Sequence, residues 1–203
     1  MKPYLISCSM LKREIEKLME QGLLQVEPYF LNADLHVDYD ELERELKLSS
    51  EKYSKDKSKV VVVYGDLCHP NMKGIIGKFD NVIKVDALNC IDCLLGGHGR
   101  LLEIDPNHDY FYLSPGWMPS SLKTSPRLKS IFDLSKEEAK KRFGNLKGII
   151  LIDSLGNLSE FKDEVKEFSN HTGLSVLGEK TVGLDRLKDV ILEAIKKIRE
   201  VHK

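Results

Sequence analysis

The sequence predicts an α/β protein, a single three-layer domain with a mostly parallel, doubly wound sheet. Short apolar runs alternate along the chain with segments whose apolar residues recur at helical spacing. The segments between successive runs are long enough to hold the crossover helices that parallel strands require. A chain of 203 residues is also long enough to bury such a core. Because no internal repeat or boundary interrupts the alternation, we expect one domain over residues 1–203.

The strands are predicted from short apolar runs that stop at polar or turn-forming residues. The clearest run extends from Val60 to Tyr64, is mostly β-branched, and stops abruptly at Gly65 and Asp66. The run at 26–31 fits either a short strand or an extended connection. In chain order, the predicted strands lie at residues 3–7, 26–31, 60–64, 82–85, 110–113, 148–153 and 174–177.

The helices are predicted from apolar residues at helical spacing between capping residues. Ser9, Ser135 and Ser159 are expected N-caps, and Gly173 is expected to end a helix. The charged, serine-containing segment 49–58 is expected to be a solvated loop. In chain order, the predicted helices lie at about residues 10–21, 39–48, 70–78, 89–97, 135–143, 159–173 and 184–198.

Composition and charge narrow the class of protein. The 31 basic and 32 acidic residues leave a net charge of -1, so no large charge attracts nucleic acid or an anionic membrane. No apolar run approaches the roughly 20 residues of a membrane span, and the N-terminus lacks the apolar core of a signal peptide. We therefore expect a cytoplasmic protein. In a reducing compartment, cysteines are more often metal ligands, catalytic groups or core residues than disulfide partners. We expect the same of the four cysteines in this sequence.

Three cysteines follow predicted strands at their carboxyl ends. Cys8 follows the strand at 3–7, Cys68 the strand at 60–64, and Cys90 the strand at 82–85. Ligands of open α/β sheets bind at this edge, so three neighbouring parallel strands would bring the three thiols into one crevice. Cys8 also precedes a predicted helix, whose positive end is expected to lower the thiol pKa. We predict that Cys8, Cys68 and Cys90 bind a metal.

The ligand set leaves the identity of the metal open. Three thiolates with a histidine suit zinc, whereas three thiolates alone suit an iron-sulfur cluster with one open iron. We favour zinc slightly. A metal-free redox or persulfide centre is the alternative, with Cys90 and Cys93 as its C-x-x-C pair. Cys93 lies within an apolar run, however, and equally fits core packing.

Polar and aromatic residues near these strand ends are the other site candidates. His36 and His69 each suit proton transfer or metal binding, or only a hydrogen bond that holds a loop. Asp66 suits the role of an acid, a base, a partner that orients a histidine, or a helix cap. His98, in a glycine-rich turn, and Trp117, after the fifth strand, are candidates for cofactor binding. His98 would approach an anion, and Trp117 would line a pocket or only pack under its loop.

Short motifs at these strand ends resemble those of the DUF1638 family. They are Ile6-Ser7-Cys8, Leu35-His36, Tyr64-Gly65-Asp66 with Cys68-His69-Pro70, Asn89-Cys90-Ile91 with Leu94-Leu95-Gly96, and Phe111-Tyr112-Leu113 with Pro115-Gly116-Trp117. One departure is Leu67, which separates Asp66 from Cys68 where the family has Tyr-Gly-Asp-Cys. The extra residue is expected to change the direction of this thiol.

The resemblance also implies a metabolic setting. The family is found mainly in methanogenic archaea and anaerobic bacteria, often beside genes of corrinoid-dependent methyltransferases. It therefore implies an enzyme that acts on a small molecule in thiol or one-carbon metabolism, with a corrinoid protein or methyltransferase as partner. A module without catalytic activity, which delivers a metal or cofactor or contacts a methyltransferase, is the other alternative.

Overall fold

The computed structural model describes residues 2–117 and 131–200. The strands are β1 (Tyr4–Cys8), β2 (Glu27–Leu31), β3 (Val60–Val63), β4 (Val82–Lys84), β5 (Tyr110–Leu113), β6 (Gly148–Asp153) and β7 (Val176–Thr181). The helices are α1 (Lys12–Glu20), α2 (Tyr39–Tyr53), α3 (Met72–Ile76), α4 (Cys90–Leu95), α5 (Arg100–Ile104), α6 (Lys136–Phe143), α7 (Lys162–Thr172) and α8 (Asp185–Glu200). Within these described ranges, no helix is both long and apolar enough to cross a membrane.

The strands form two parallel sheets, one of four strands and one of three. The predicted α/β class and parallel pairing are confirmed. The single domain expected over 1–203 contains two compact units. Unit 1 comprises residues 2–100 and 184–200, and unit 2 comprises the described residues of 101–183.

Unit 1 is built on a four-stranded sheet with the order β2-β1-β3-β4. β2 and β3 lie on opposite sides of β1, so the direction of winding reverses at β1. Right-handed crossovers therefore place α1 on one face of the sheet and the next two helices on the other. α2 packs against α3 on its face, while α8 packs on β3 and β4 and against α4. This arrangement gives the predicted three layers and the doubly wound order.

The end of α2 corrects one prediction. The helix continues to Tyr53, so the solvated loop expected over 49–58 is wrong for its first five residues. Ser49 is buried, and its hydroxyl donates a hydrogen bond to the Glu45 carbonyl oxygen at 2.6 Å. Because the helix itself satisfies this hydroxyl, a serine-containing segment can stay helical and lie against the core.

The three predicted N-caps have different outcomes. Ser135 caps α6 in a capping box with Glu138 and is confirmed. Ser9 is not the cap, because the Cys8 sulfur accepts the hydrogen bond from the Met10 N–H and the Ser9 hydroxyl accepts one from Ala33. Ser159 is also not a cap, since α7 begins only at Lys162, after a 3-10 turn over Leu158–Phe161.

Unit 2 is built on the sheet β5-β6-β7. Its core is rich in aromatic residues, and the Phe111 ring lies 5.0 Å from the Phe168 ring, centroid to centroid. α6 and α7 pack against each other. The last strand lies at Val176–Thr181, so the bounds predicted for it, 174–177, are wrong. Its residues are only exposed or half-buried, and such a strand is not marked by a continuous apolar run.

Candidate functional site

The candidate site lies at the carboxyl ends of β1, β3 and β4 in unit 1. Cys8 is the last residue of β1, Cys68 lies in the 3-10 turn Asp66–Cys68 after β3, and Cys90 begins α4 after β4. The three strands are parallel neighbours, as predicted. Because winding reverses at β1, this edge is also the topological switch point, where open α/β sheets bind ligands. We call Cys8, Cys68 and Cys90 the cysteine cluster.

Cys68 and Cys90 both influence the Cys8 thiol. Cys8 and Cys68 are buried and Cys90 is half-buried. Burial raises the pKa of the Cys8 thiol most, and the charges of Cys90 and Cys68 raise it further. The hydrogen bond from the Met10 N–H, at 3.5 Å, lowers this pKa but does not outweigh burial. The expected net lowering of the Cys8 pKa is therefore wrong, since desolvation of the thiolate exceeds the effect of the following helical turn.

The donor atoms of the cluster suit a soft cation. In the part of the chain that the structure describes, no three Cys, His, Asp or Glu side chains stand as a preformed metal-binding group. Thiolate sulfurs are nonetheless the ligands that zinc and iron-sulfur clusters take. A cation would also favour the thiolate form that burial disfavours here. Ligation would require the cysteine side chains to turn toward a common point.

Tyr64 belongs to the site although the sequence did not single it out. It directly follows β3, and the pairing of Ser7 with Val63 places it beside Cys8 in the next register position. Its side chain is 2% exposed, and its hydroxyl has no nitrogen or oxygen partner among the described residues. Burial and the Cys8 sulfur together raise the Tyr64 pKa well above its usual value. The usable signal is its position at the carboxyl end of β3, which matches that of Cys8 at the carboxyl end of β1.

His36 joins the same group. It lies in the 3-10 turn Ala33–Val37, and its Nδ1 is 3.8 Å from the Cys8 sulfur and 2.9 Å from the Ala33 carbonyl oxygen. Because a carbonyl oxygen only accepts, Nδ1 carries a proton, and the lone pair of a neutral imidazole is on Nε2. The ring stacks on that of Tyr64 at 5.7 Å between centroids. His36, Cys8 and Tyr64 thus form one contact group.

His69 faces a different part of unit 1. Its Nδ1 accepts a hydrogen bond from the Asn71 N–H at 3.0 Å, so the proton of the neutral ring is on Nε2. Nε2 lies 3.6 Å from the Glu43 carboxylate on α2, and the ring edge packs on Tyr39. These contacts hold the loop after β3 onto α2, which matches the loop-holding alternative for this residue.

Asp66 connects the loop after β3 to the neighbouring elements. Its carboxylate pairs with Lys84 of β4 at 3.1 Å and with Lys73 of α3 at 3.6 Å. Its backbone N–H donates to the Ala87 carbonyl oxygen at 3.0 Å. The Lys84 side chain is only 12% exposed, so this ion pair is partly shielded from water. The arrangement positions the turn that carries Cys68.

Trp117 and His98 lie outside the cysteine cluster. Trp117 belongs to unit 2, where its ring packs edge-on against Phe111 at 6.3 Å, so it fills that core. His98 belongs to unit 1, and its two ring nitrogens each lie 2.9 Å from a carboxylate, Asp86 and Glu193. Two carboxylates repel an anion, so this environment does not favour the predicted anion contact.

The His98 ion pairs predict a pH-dependent contribution to stability. The hydrogen bond to Glu193 and then that to Asp86 raise the His98 pKa above its ordinary 6.5. A raised folded-state pKa means that this stabilisation is complete below the unfolded-state pKa and is lost as pH rises through the folded-state pKa. His98 is 46% exposed, so we expect about 1 kcal/mol or less.

Denaturant unfolding of wild type and of His98→Asn, measured from mildly acidic to alkaline pH, tests the prediction. Asparagine tolerates the positive φ of 57° found at this position. The stability difference should be largest at mildly acidic pH and shrink at alkaline pH. His108→Asn is the matched control, because His108 is exposed and has a φ of 55°. A difference that does not vary with pH would contradict the assignment.

Fold and site together define a parallel α/β protein with a cysteine cluster at the switch point of its larger sheet. The chain belongs to the DUF1638 family, whose sequence profile, described as "Protein of unknown function (DUF1638)", matches residues 30–191. The predicted family is thus confirmed. No curated protein and no solved structure matches the chain significantly. The matched region includes Tyr64, Cys68 and Cys90 and begins after Cys8.

Proposed function

We propose that this is a metal-dependent α/β protein whose cysteine cluster binds a soft metal ion, with zinc as the first candidate. One observation carries the proposal. Three thiols follow three adjacent parallel strands at one sheet edge, and the charges of Cys68 and Cys90 act on Cys8. Three protein ligands would leave a coordination position for a substrate, as in catalytic zinc sites.

We further propose that the site acts on a small molecule in thiol or one-carbon metabolism. A bound zinc ion would supply Lewis acidity and favour the anionic form of a coordinated thiol or water. His36 stands beside Cys8, and its Nε2 would accept a proton from the reacting group. The resemblance to the family adds a corrinoid protein or methyltransferase as the proposed partner. Four free cysteines suit the reducing cytoplasm, our proposed location.

Three alternatives use residues of the same site. An iron-sulfur cluster with one open iron would also take three thiolates. A metal-free redox or persulfide centre, with Cys90 and Cys93 as its C-x-x-C pair, is the second alternative. In that case a thiolate would exchange with the disulfide of a donor molecule, or take the outer sulfur of a donor persulfide, and release the donor's thiol. A module that delivers a metal without catalysis would share the ligands and lack turnover.

Metal analysis of anaerobically purified protein tests the proposal. We expect about one zinc or iron per chain in wild type, and near-complete loss of that metal in Cys8→Ser, Cys68→Ser and Cys90→Ser. Cys93→Ala tests the fourth thiol, which is as buried as Cys8 and whose pKa is raised by burial and then by the charges of Cys90 and Cys68. The three-cysteine ligand set predicts that this variant keeps its metal. An absorption spectrum separates the metals, since iron-sulfur clusters absorb in the visible range and zinc does not.

Each outcome decides one point. Wild-type protein that contains no metal, and takes up neither zinc nor iron, would overturn the metal site and leave the metal-free thiol centre. Loss of the metal in Cys93→Ala, with its fold intact by circular dichroism, would overturn the three-cysteine ligand set. Metal bound without turnover of thiol or methyl-donor substrates would leave only the delivery module.

A further inference from the structure

We propose that Tyr64 is a positioning residue that hydrogen-bonds the Cys8 sulfur and so tunes this ligand toward the metal. The inference rests on the proposed function, because it assigns a role to a residue of the same site. Tyr64 is a residue that neither the metal assignment nor the acid-base assignment uses. It would act through Cys8 and would not touch the substrate.

The backbone brings Tyr64 to Cys8. β1 and β3 are paired in parallel from Tyr4 opposite Val60 to Ser7 opposite Val63. The next residues along these two strand directions are Cys8 and Tyr64, which therefore lie side by side. The phenol ring is held from one side by the His36 imidazole, which stacks on it with an angle of 21° between the planes. Strand register and ring stacking therefore hold the Tyr64 phenol next to Cys8.

The buried Tyr64 hydroxyl requires a hydrogen-bond acceptor. A buried hydroxyl without a partner costs free energy, and phenylalanine would fill the same space without that cost. No nitrogen or oxygen in the described residues satisfies the Tyr64 hydroxyl. Burial raises the Tyr64 pKa most, and Cys8 is the neighbour that raises it next. We therefore assign the Cys8 sulfur to this hydroxyl as its acceptor.

Two further donors approach the same sulfur. The Met10 N–H donates to it at 3.5 Å, and the protonated Nδ1 of His36 lies 3.8 Å away while also donating to Ala33. With Tyr64, three donors from three different segments surround Cys8. Hydrogen bonds of this kind to a ligand atom stabilise its anionic form and adjust its bond to a metal.

Cobalt binding provides a readout that a merely structural role would not change. We propose to titrate anaerobic, metal-free protein with Co²⁺ and record the sulfur-to-cobalt charge-transfer band. Tyr64→Phe is expected to weaken Co²⁺ binding about tenfold to a hundredfold. The same variant should move the band to lower energy, because the Cys8 thiolate loses a hydrogen bond. Tyr53→Phe is the control, since Tyr53 packs on Tyr4 and Tyr29 of the same unit.

A second measurement does not depend on any metal. The infrared S–H stretching band of Cys8 can be identified in metal-free protein by its loss in Cys8→Ser. Its frequency should change in Tyr64→Phe and stay the same in Tyr53→Phe. Unchanged cobalt affinity and unchanged band positions in Tyr64→Phe would overturn the inference. If wild type binds no Co²⁺, the proposed function fails, and the S–H band alone decides whether Tyr64 bonds to Cys8.

Discussion

Replacing Gly65 with alanine is expected to lower the free energy of unfolding by about 3 kcal/mol. A Cβ atom at this position would stand 2.1 Å from the Leu88 carbonyl carbon and oxygen and 2.3 Å from the Asn89 nitrogen. These atoms belong to the backbone and cannot rotate away. The loop after β3 must therefore move from the loop after β4, and Cys68 moves away from Cys90 with it. Urea unfolding followed by circular dichroism measures the loss.

Gly22→Ala separates the effect of space from that of backbone conformation. Gly22 has a φ of 70°, but a Cβ atom added there would meet no atom of another segment within 4 Å. We expect a loss of about 1 kcal/mol from the left-handed conformation alone, with no effect on the proposed metal binding. Gly65→Ala should lose stability and, if the proposed function holds, its metal as well. Equal effects of the two substitutions would contradict the close contact between the two loops.

Replacing Asp92 with alanine is expected to cost about 2–4 kcal/mol. Asp92 is fully buried, and its Oδ2 accepts hydrogen bonds from the Leu88 N–H at 2.9 Å and from the Gly99 N–H at 3.1 Å. One carboxylate thus ties the segment before α4 to the glycine-rich turn after it. Its removal leaves two backbone donors without this acceptor. It also frees the segment before α4, which presents Cys90.

The matched control for Asp92 is Asp86→Ala. Asp86 is 61% exposed and pairs with His98, so its loss should cost about 1 kcal/mol or less. Asp92→Asn keeps one acceptor oxygen without the charge and should fall between the two. Thermal and urea unfolding give the order of the three variants. An Asp92→Ala variant that is as stable as Asp86→Ala would show that the buried carboxylate does not hold the turn.

The sequence predicted the position of the cysteine cluster because that position depends on local signals. Each of Cys8, Cys68 and Cys90 follows a short apolar run, and strand ends can be read from such runs. Parallel pairing then follows from the helical segments between the runs. His36 was a candidate from its residue type and from the Leu35-His36 motif, and the structure places its Nδ1 3.8 Å from the Cys8 sulfur.

Other features depend on contacts between distant segments and were not predictable. The division of the strands between two sheets follows from long-range pairing, which local periodicity does not encode. His69 is adjacent to Cys68 in sequence, but its ring turns to Glu43 on α2, since neighbouring residues of an irregular loop point in different directions. Tyr64 depends on the register between β1 and β3, which only the paired strands reveal.

The composition of unit 1 from two separated stretches has a consequence for biosynthesis. The apolar face of α8 is buried against this unit, and its buried residues are Leu187, Val190, Ile191, Ala194, Ile195 and Ile198. The ribosome makes β1 through β4 long before it makes this helix. The surface of β3 and β4 that α8 covers therefore stays exposed until α8 has been synthesised and has packed on it. We expect partly synthesised chains to be more prone to aggregation than the folded protein, because of the order of synthesis rather than low final stability.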